Sequence, residues 1–246
     1  MSQGATELSQ PRRVPEVAIR LLGTFVLEVD RCPVALPTGA QRLVALLALR
    51  GRTGRSRVAG LLWPETEERR ALANLRTGIW RVNKTAAGLV VCEHGVVGLG
   101  LSPVVDVDRL VARSRAVLGG QESPEPEPDL GTGELLPDWE DPWLDTERER
   151  LLQLHLHVLE STAARLAASG RYGMALEFAL AALRVDALRE SAHRAVIAIH
   201  LAEGNIAEVR RAYDACRRTL ASELGIVPSP STDALVAGLA PRALTG

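Results

Sequence analysis

The sequence predicts a multidomain chain in which an α+β half precedes an all-α half. Three observations carry that reading. Short runs rich in Val, Ile, Leu and Phe bracket three helical segments within the first hundred residues. Beyond Val105 the apolar residues recur at helical spacing, and Gly170 and Gly204, 34 residues apart, mark a repeat of the paired-helix kind. The charge divides at the same place. Residues 1–104 hold 14 Lys+Arg against 8 Asp+Glu, net +6, and residues 105–246 hold 15 against 22, net −7.

Residues 1–16 are polar, with prolines at 11 and 15, and read as a loose tail. Val17–Leu22 and Thr24–Val29 read as strands of a small antiparallel sheet, punctuated by Gly23, Asp30-Arg31 and Pro33. Thr38-Gly39-Ala40-Gln41 has capping-box spacing and predicts a helix that ends at Gly51. Ser56 can cap a second, short helix that Pro64 prevents from continuing. A third helix is predicted from about Glu67 to Lys84, its first acids suiting the positive end of the helix dipole. Leu89–Cys92 and Val96–Leu99 around Glu93-His94-Gly95 form a hairpin signal. Sheet, three helices and closing hairpin, over residues 17–104, is the order of a winged helix-turn-helix.

Residues 105–246 predict an all-α domain. Val107–Leu118 reads as one helix, and Gly119–Asp141 as a proline-rich, acidic, solvated linker. Thr146-Glu147-Arg148-Glu149 is a second capping box, predicting that a long helix opens there. Counting from each repeat glycine aligns Ala175, Ala179 and Ala182 with Val209, Tyr213 and Cys216, a degenerate tetratricopeptide-like pattern. Arg210, Arg211, Arg217 and Arg218 fall on one helix of this array, as a solvated face or a protein contact. Ser231–Leu239 predicts a last short helix.

Composition excludes several classes. At 246 residues, with 46% hydrophobic and 24% charged, each half can bury a core and the chain is not wholly disordered. No apolar run reaches membrane-span length, and no leader pattern opens the chain, so a cytoplasmic protein is expected. Cys32, Cys92 and Cys216 lie far apart and read as reduced thiols. Lys84 is the only lysine; it follows Asn83 outside any glycine loop, which excludes a P-loop ATPase. His155 and His157, two apart on a helix, face different ways, and His193 and His200 are seven apart. No catalytic set, metal site or cofactor is expected, and a hydrolase using these histidines is the weakest reading.

The third helix carries the chemistry. Leu72, Leu75, Ile79 and Val82 cluster on one face at helical period. The opposite face holds Arg70, Ala73, Asn74, Thr77, Arg81 and Lys84, with Arg69, Arg76 and Trp80 on one flank. Three cations, an amide and a hydroxyl without an acid suit the major groove: arginine can bond guanine bidentately, asparagine adenine, and cations neutralise phosphates. Arg42, Arg55 and Arg57 lie at or near helix starts, where backbone amides help hold phosphates. The competing reading is a helical-repeat adaptor whose winged helix binds protein.

These residues resemble the Streptomyces antibiotic regulatory protein (SARP) family of actinomycete transcription activators. Leu61-Leu62-Trp63-Pro64, Ala71-Leu72-Ala73-Asn74-Leu75-Arg76 and Trp80-Arg81-Val82 are similar to the helix-turn-helix of its OmpR-type winged helix. Val105-Asp106-Val107 and Gly133-Glu134-Leu135-Leu136-Pro137-Asp138-Trp139-Glu140-Asp141-Pro142-Trp143 resemble signatures of its bacterial transcriptional activation domain, with the two tryptophans expected to pack on the helical repeats. The resemblance implies an activator of antibiotic or other secondary-metabolite genes. It would bind tandem repeats in promoter DNA as two copies side by side and engage RNA polymerase holoenzyme, sigma factor included.

Overall fold

A computed structural model describes residues 15–120 and 134–239. The expected tail, apart from residues 15 and 16, and the middle of the acidic stretch fall outside these. The chain divides into two compact units: Met1–Asp108 with Gly133–Asp145, and Arg109–Thr132 with Thr146–Gly246.

The first unit runs β1 (Val17–Arg20), β2 (Val26–Val29), β3 (Cys32–Pro33), α1 (Thr38–Arg50), β4 (Thr53–Gly54), α2 (Arg55–Leu62), α3 (Glu68–Thr85), β5 (Val90–Glu93), β6 (Val96–Leu99) and β7 (Val104–Val105). β1 and β2 pair antiparallel with Val17 opposite Val29, and β7 joins β1 in parallel, giving the order β3-β2-β1-β7. A second sheet, β4-β6-β5, contains the expected hairpin. His94 and Gly95 at its turn have φ of 51° and 78°, the paired left-handed residues that a tight two-residue turn requires. Ile19, Leu27, Leu43, Leu46, Leu47, Val58, Leu62, Leu75 and Val97 are all fully or almost fully buried.

Neither expected cap on these helices forms. Pro37 occupies the N-cap of α1, its carbonyl accepting from Ala40 and Gln41, while the Gln41 side chain donates to the Leu36 carbonyl at 2.7 Å. α2 starts at Arg55 behind Gly54, with no side-chain cap from Ser56. α3 ends in a clamp: Asn83 Nδ2 donates to the Val90 carbonyl at 2.7 Å, and the Val90 amide donates back at 2.9 Å. The hairpin is thereby fixed to the end of the third helix.

The stretch before Asp141 is not a solvated linker where it is described. Leu135 pairs with Leu22 in an isolated bridge, the Leu136 amide donates to the Leu21 carbonyl, and both leucines are buried. Trp139 stacks on Phe25 with ring centroids 6.0 Å apart. Trp143 is buried, with its indole N–H donating to Asp141 and its carbonyl accepting from Arg50. Trp139 and Trp143 therefore belong to the α+β unit, not to the repeats where the sequence placed them. The apolar edges of the first sheet and α1 supply the nearer partners. Asp106, in the Val-Asp-Val segment, accepts from the amides of Leu21, Leu22 and Val107 at 2.8–3.0 Å, satisfying donors that a strand end leaves open.

α4 (Asp106–Leu118) precedes α5 (Pro142–Ala168). α5 opens a turn before the expected Thr146 box. Pro142, whose φ is already helical and which has no amide to satisfy, takes the first helical position instead. α6 (Tyr172–Val185), α7 (Glu190–Glu203) and α8 (Ile206–Leu224) pack successively, and α9 (Pro230–Val236) follows before a 3₁₀ turn at Ala237–Leu239. Gly170 and Gly204 both have left-handed φ, 75° and 80°, after helix ends, as the repeat requires. Ala175, Ala179, Ala182, Val209 and Cys216 are buried at the aligned positions. Tyr213 is half-buried, its hydroxyl donating to Asp233 at 2.8 Å.

Two acids fasten this unit. Glu190 accepts from the amide and hydroxyl of Ser229 and the hydroxyl of Thr232, tying α9 to α7. Glu160 accepts from Arg189 at 2.9 and 3.0 Å and from the Ser191 hydroxyl. Burial would raise the Glu160 pKa, but the bonds from Arg189 and Ser191 outweigh it and hold the carboxyl below its ordinary range. A depressed folded-state pKa contributes stability at neutral pH that is lost as pH falls through the folded value. Glu160→Gln should lower stability by about 1–3 kcal/mol at pH 7 and narrow its deficit against wild type in acid. Urea unfolding at pH 7 and pH 3 checks this, and an equal deficit at both contradicts it.

Candidate nucleic-acid interface

α3 is an 18-residue helix, about 27 Å long. Its buried residues are Ala71, Leu75, Gly78 and Val82. Leu72 and Ile79, assigned to the core stripe from sequence, are only half-buried. The buried side includes the small residues Ala71 and Gly78; Gly78 faces α1, where an added Cβ would stand 3.4 Å from the Leu43 side chain, an ordinary van der Waals contact.

This phase moves the outward face. Arg69, Ala73, Arg76, Thr77, Trp80 and Lys84 now stand opposite the core, with Arg70 and Arg81 exposed beside them. Asn74 is half-buried. The Thr77 hydroxyl donates back to the Ala73 carbonyl at 3.1 Å. Lys84 Nζ lies 5.2 Å from the centroid of the Trp80 ring. The period read from sequence puts Arg69, Arg76 and Trp80 on a flank; the exposed face contains all three.

Arg55 and Arg57, at the start of α2, meet Arg69 and Arg76 of α3 along one open cleft of about 770 Å³, completed by Gly54, Ser56, Leu72 and Gly95. The Arg55 amide donates to the Gly95 carbonyl at 2.9 Å, so the hairpin turn forms one wall. Four guanidinium groups and no carboxylate line the cleft. Among the described residues, none of Arg55, Arg57, Arg69, Arg70, Arg76, Arg81 and Lys84 takes part in an ion pair. Charges kept out of ion pairs, in a shape that opens to solvent, can neutralise an anionic backbone and donate to base edges. At the hairpin, Glu93 is held by Arg52 at 2.9 Å, which offsets the one acid there. Sequence reasoning missed this pair because β4, which places Arg52, is two residues long.

Arg42 is not part of this face. Its guanidinium donates twice to Asp141 and once to the Leu62 carbonyl, the Nε bond at 2.7 Å. The Arg42 and Asp141 side chains retain only 26% and 10% of their exposure. The reading of Arg42 as a phosphate ligand gives way to an internal ion pair, invisible in sequence because its partner lies 99 residues on.

Among the described residues no three His, Cys, Asp or Glu groups are placed to hold a metal ion, and no helix is long and apolar enough to cross a membrane. His193 is buried, with Nε2 3.0 Å from the Ala187 carbonyl.

Residues 129–239 match the family profile described as bacterial transcriptional activator domain. Over 217 residues, 81% of this chain, the sequence is 30% identical to the regulatory protein AfsR of Streptomyces coelicolor. The match covers 22% of that protein, so this chain corresponds to about a fifth of its length. A solved structure of EmbR of Mycobacterium tuberculosis, in complex with a low-affinity phosphopeptide, has a TM-score of 0.69 at 20% identity, covering 90% of this chain and 64% of that one. That likeness establishes the fold, a winged helix-turn-helix followed by tetratricopeptide-like helices.

The ion pair yields a separable expectation. Arg42→Ala leaves Asp141 buried without its cation and should cost about 3 kcal/mol. If Arg42 only builds the unit, the salt slope of any duplex binding stays at the wild-type value. Urea unfolding and salt titration of the same protein separate the two roles. A shallower slope without lost stability would return Arg42 to the interface.

Proposed function

We propose that this chain, a member of the Streptomyces antibiotic regulatory protein family of bacterial transcriptional activators, binds promoter DNA through α3 and the arginine cleft. The second unit then contacts the transcription machinery. The observation that carries the proposal is the acid-free cationic face of α3, continuous with the cleft formed by Arg55, Arg57, Arg69 and Arg76. α3 would lie in the major groove, Arg81 and Lys84 near one end and Arg69 and Arg70 near the other. The cleft, at the start of α2, would hold backbone phosphates.

The finer reading follows the family. The targets are tandem repeats in promoters of antibiotic or other secondary-metabolite genes, occupied by two copies side by side. The protein partner is RNA polymerase holoenzyme, sigma factor included, and the protein acts at the nucleoid. Paired-helix arrays present concave surfaces suited to proteins. On α8 all four arginines are exposed, but Arg210 is engaged by the Leu239 carbonyl and Arg211 by Glu208, which leaves Arg217 and Arg218 outside any ion pair among the described residues and open to such a contact.

Binding to a mixed-sequence duplex should weaken steeply with salt, by about 10³-fold between 50 and 200 mM for six or more phosphate contacts. Replacing Arg57 and Arg76 together with serine should make the slope shallower by about two. Arg81→Ala should cost about 1–3 kcal/mol on a selected duplex if it reaches a base edge. Fluorescence anisotropy across a salt series measures all three. A flat response would favour the adaptor reading instead.

Activation should need the second unit. A chain ending at Asp145 keeps both Asp106 and Asp141, so it should bind the duplex yet fail to stimulate transcription by purified RNA polymerase from a target promoter. Run-off transcription beside the full chain tests it, and full stimulation by the shorter chain would move recruitment to the winged helix.

A further inference from the structure

α3 holds one large apolar side chain in solvent. Trp80 is 61% exposed, while its exposed neighbours on the helix are Arg76, Thr77, Arg81 and Lys84. At about 100° per residue, Trp80 and Ala73 stand opposite the buried side formed by Ala71, Leu75, Gly78 and Val82. They are the crest of the helix. An indole in that position forgoes the burial that usually places tryptophan in a core or an interface. The ammonium of Lys84 lies 5.2 Å from the ring centroid, a cation–π contact that steadies the ring on the helix surface.

We propose, on the reading of α3 as the major-groove helix, that Trp80 is a specificity residue whose partner is the 5-methyl group of thymine. The rim of the face is cationic and serves phosphates, which position a protein but carry no sequence. The crest is different. Ala73, half-buried, has no polar side-chain atom, Thr77 donates its hydroxyl proton to the Ala73 carbonyl and keeps only its acceptor capacity, and Asn74 is half-buried on the flank. The crest is therefore apolar inside a cationic border. The major-groove base edges offer donors, acceptors and a single apolar group, the thymine methyl. An apolar crest with one indole N–H distinguishes thymine by contact with that methyl. An acidic protein surface would meet the border equally well but gives the crest no defined partner.

The test uses the full chain. Wild type and Trp80→Ala are each taken through selection from a randomised duplex pool. Affinities are then measured for the wild-type-selected duplex, for versions with each thymine replaced in turn by deoxyuridine, which lacks the methyl, and for a mixed-sequence duplex. Wild type should lose roughly three- to tenfold on at least one deoxyuridine replacement. Trp80→Ala should bind the selected duplex roughly tenfold more weakly, be indifferent to that same replacement, and bind the mixed duplex within about twofold of wild type. Trp80→Phe, which keeps a ring, should retain part of the methyl sensitivity and guards against a folding defect in the alanine variant. Equal methyl sensitivity in wild type and Trp80→Ala, or none in wild type, overturns the assignment while leaving salt-dependent duplex binding intact. A wild type that binds no duplex overturns the groove reading and Trp80 with it.

Discussion

The ion pair between Arg42 and Asp141 is the constraint on which the first unit depends. One guanidinium reaches three things at once: the Asp141 carboxylate, the carbonyl of Leu62 at the end of α2, and, by its origin, α1. The same Asp141 oxygen accepts from the Trp143 indole. A helix end leaves carbonyls without partners, and a buried carboxylate needs charge and hydrogen bonds together. A single arginine answers both needs. The unit is consequently discontinuous in sequence. Leu135, Leu136, Trp139 and Trp143 complete a fold whose other elements end near Asp106. Asp106 repeats the device at the other edge, accepting amides from the end of β1.

Engaging Arg42 internally has a consequence for the charged surface. Ten basic residues lie between Arg42 and Lys84. Arg42 and Arg52 are neutralised by Asp141 and Glu93. Arg55, Arg57, Arg69, Arg70, Arg76, Arg81 and Lys84 are the remainder apart from Arg50, which donates to the Trp143 carbonyl. The sorting separates cations that build the unit from cations that face solvent. Density of charge along the sequence could not make that separation, since both kinds stand in the same stretch.

Much of the architecture was legible. Period and punctuation placed every helix of the first unit within about two residues, because apolar spacing and Gly or Pro stops act locally. The hairpin at His94-Gly95 and the 34-residue repeat were legible for the same reason. Three kinds of feature were not. The side-chain caps expected at Thr38, Ser56 and Thr146 do not form: Pro37 and Gly54 stand at the N-caps of α1 and α2, and α5 starts at Pro142, four residues ahead of Thr146. Long-range partners such as Asp141 for Arg42 leave no local trace. The phase of α3 buries Ala71 and Gly78, which have too little side chain for hydrophobic bulk to single them out. A reading that weights hydrophobic bulk ranks Leu72 and Ile79 above them and so turns the helix toward the wrong flank.

The same lesson governs the second half of the sequence. Residues 105–246 carry net −7, but Asp106, Asp108, Glu134, Asp138, Glu140, Asp141 and Asp145 belong to the first unit, which leaves the second unit with 15 acids against 15 arginines. Those acids are in part structural: Glu160 holds Arg189, Glu190 gathers Ser229 and Thr232, Asp233 receives Tyr213, and Glu208 holds Arg211. A carboxylate paired with a guanidinium, as Glu160 and Glu208 are, projects little field beyond the pair, whereas hydroxyl donors leave the charge of Glu190 and Asp233 in place. Net charge counts these groups and the free ones alike. In both units, therefore, the electrostatic character that a partner meets is set by what the fold leaves unpaired. On α3 that is a set of cations with no acid on the same face, so the charge this helix presents follows from pairing rather than from either unit's total.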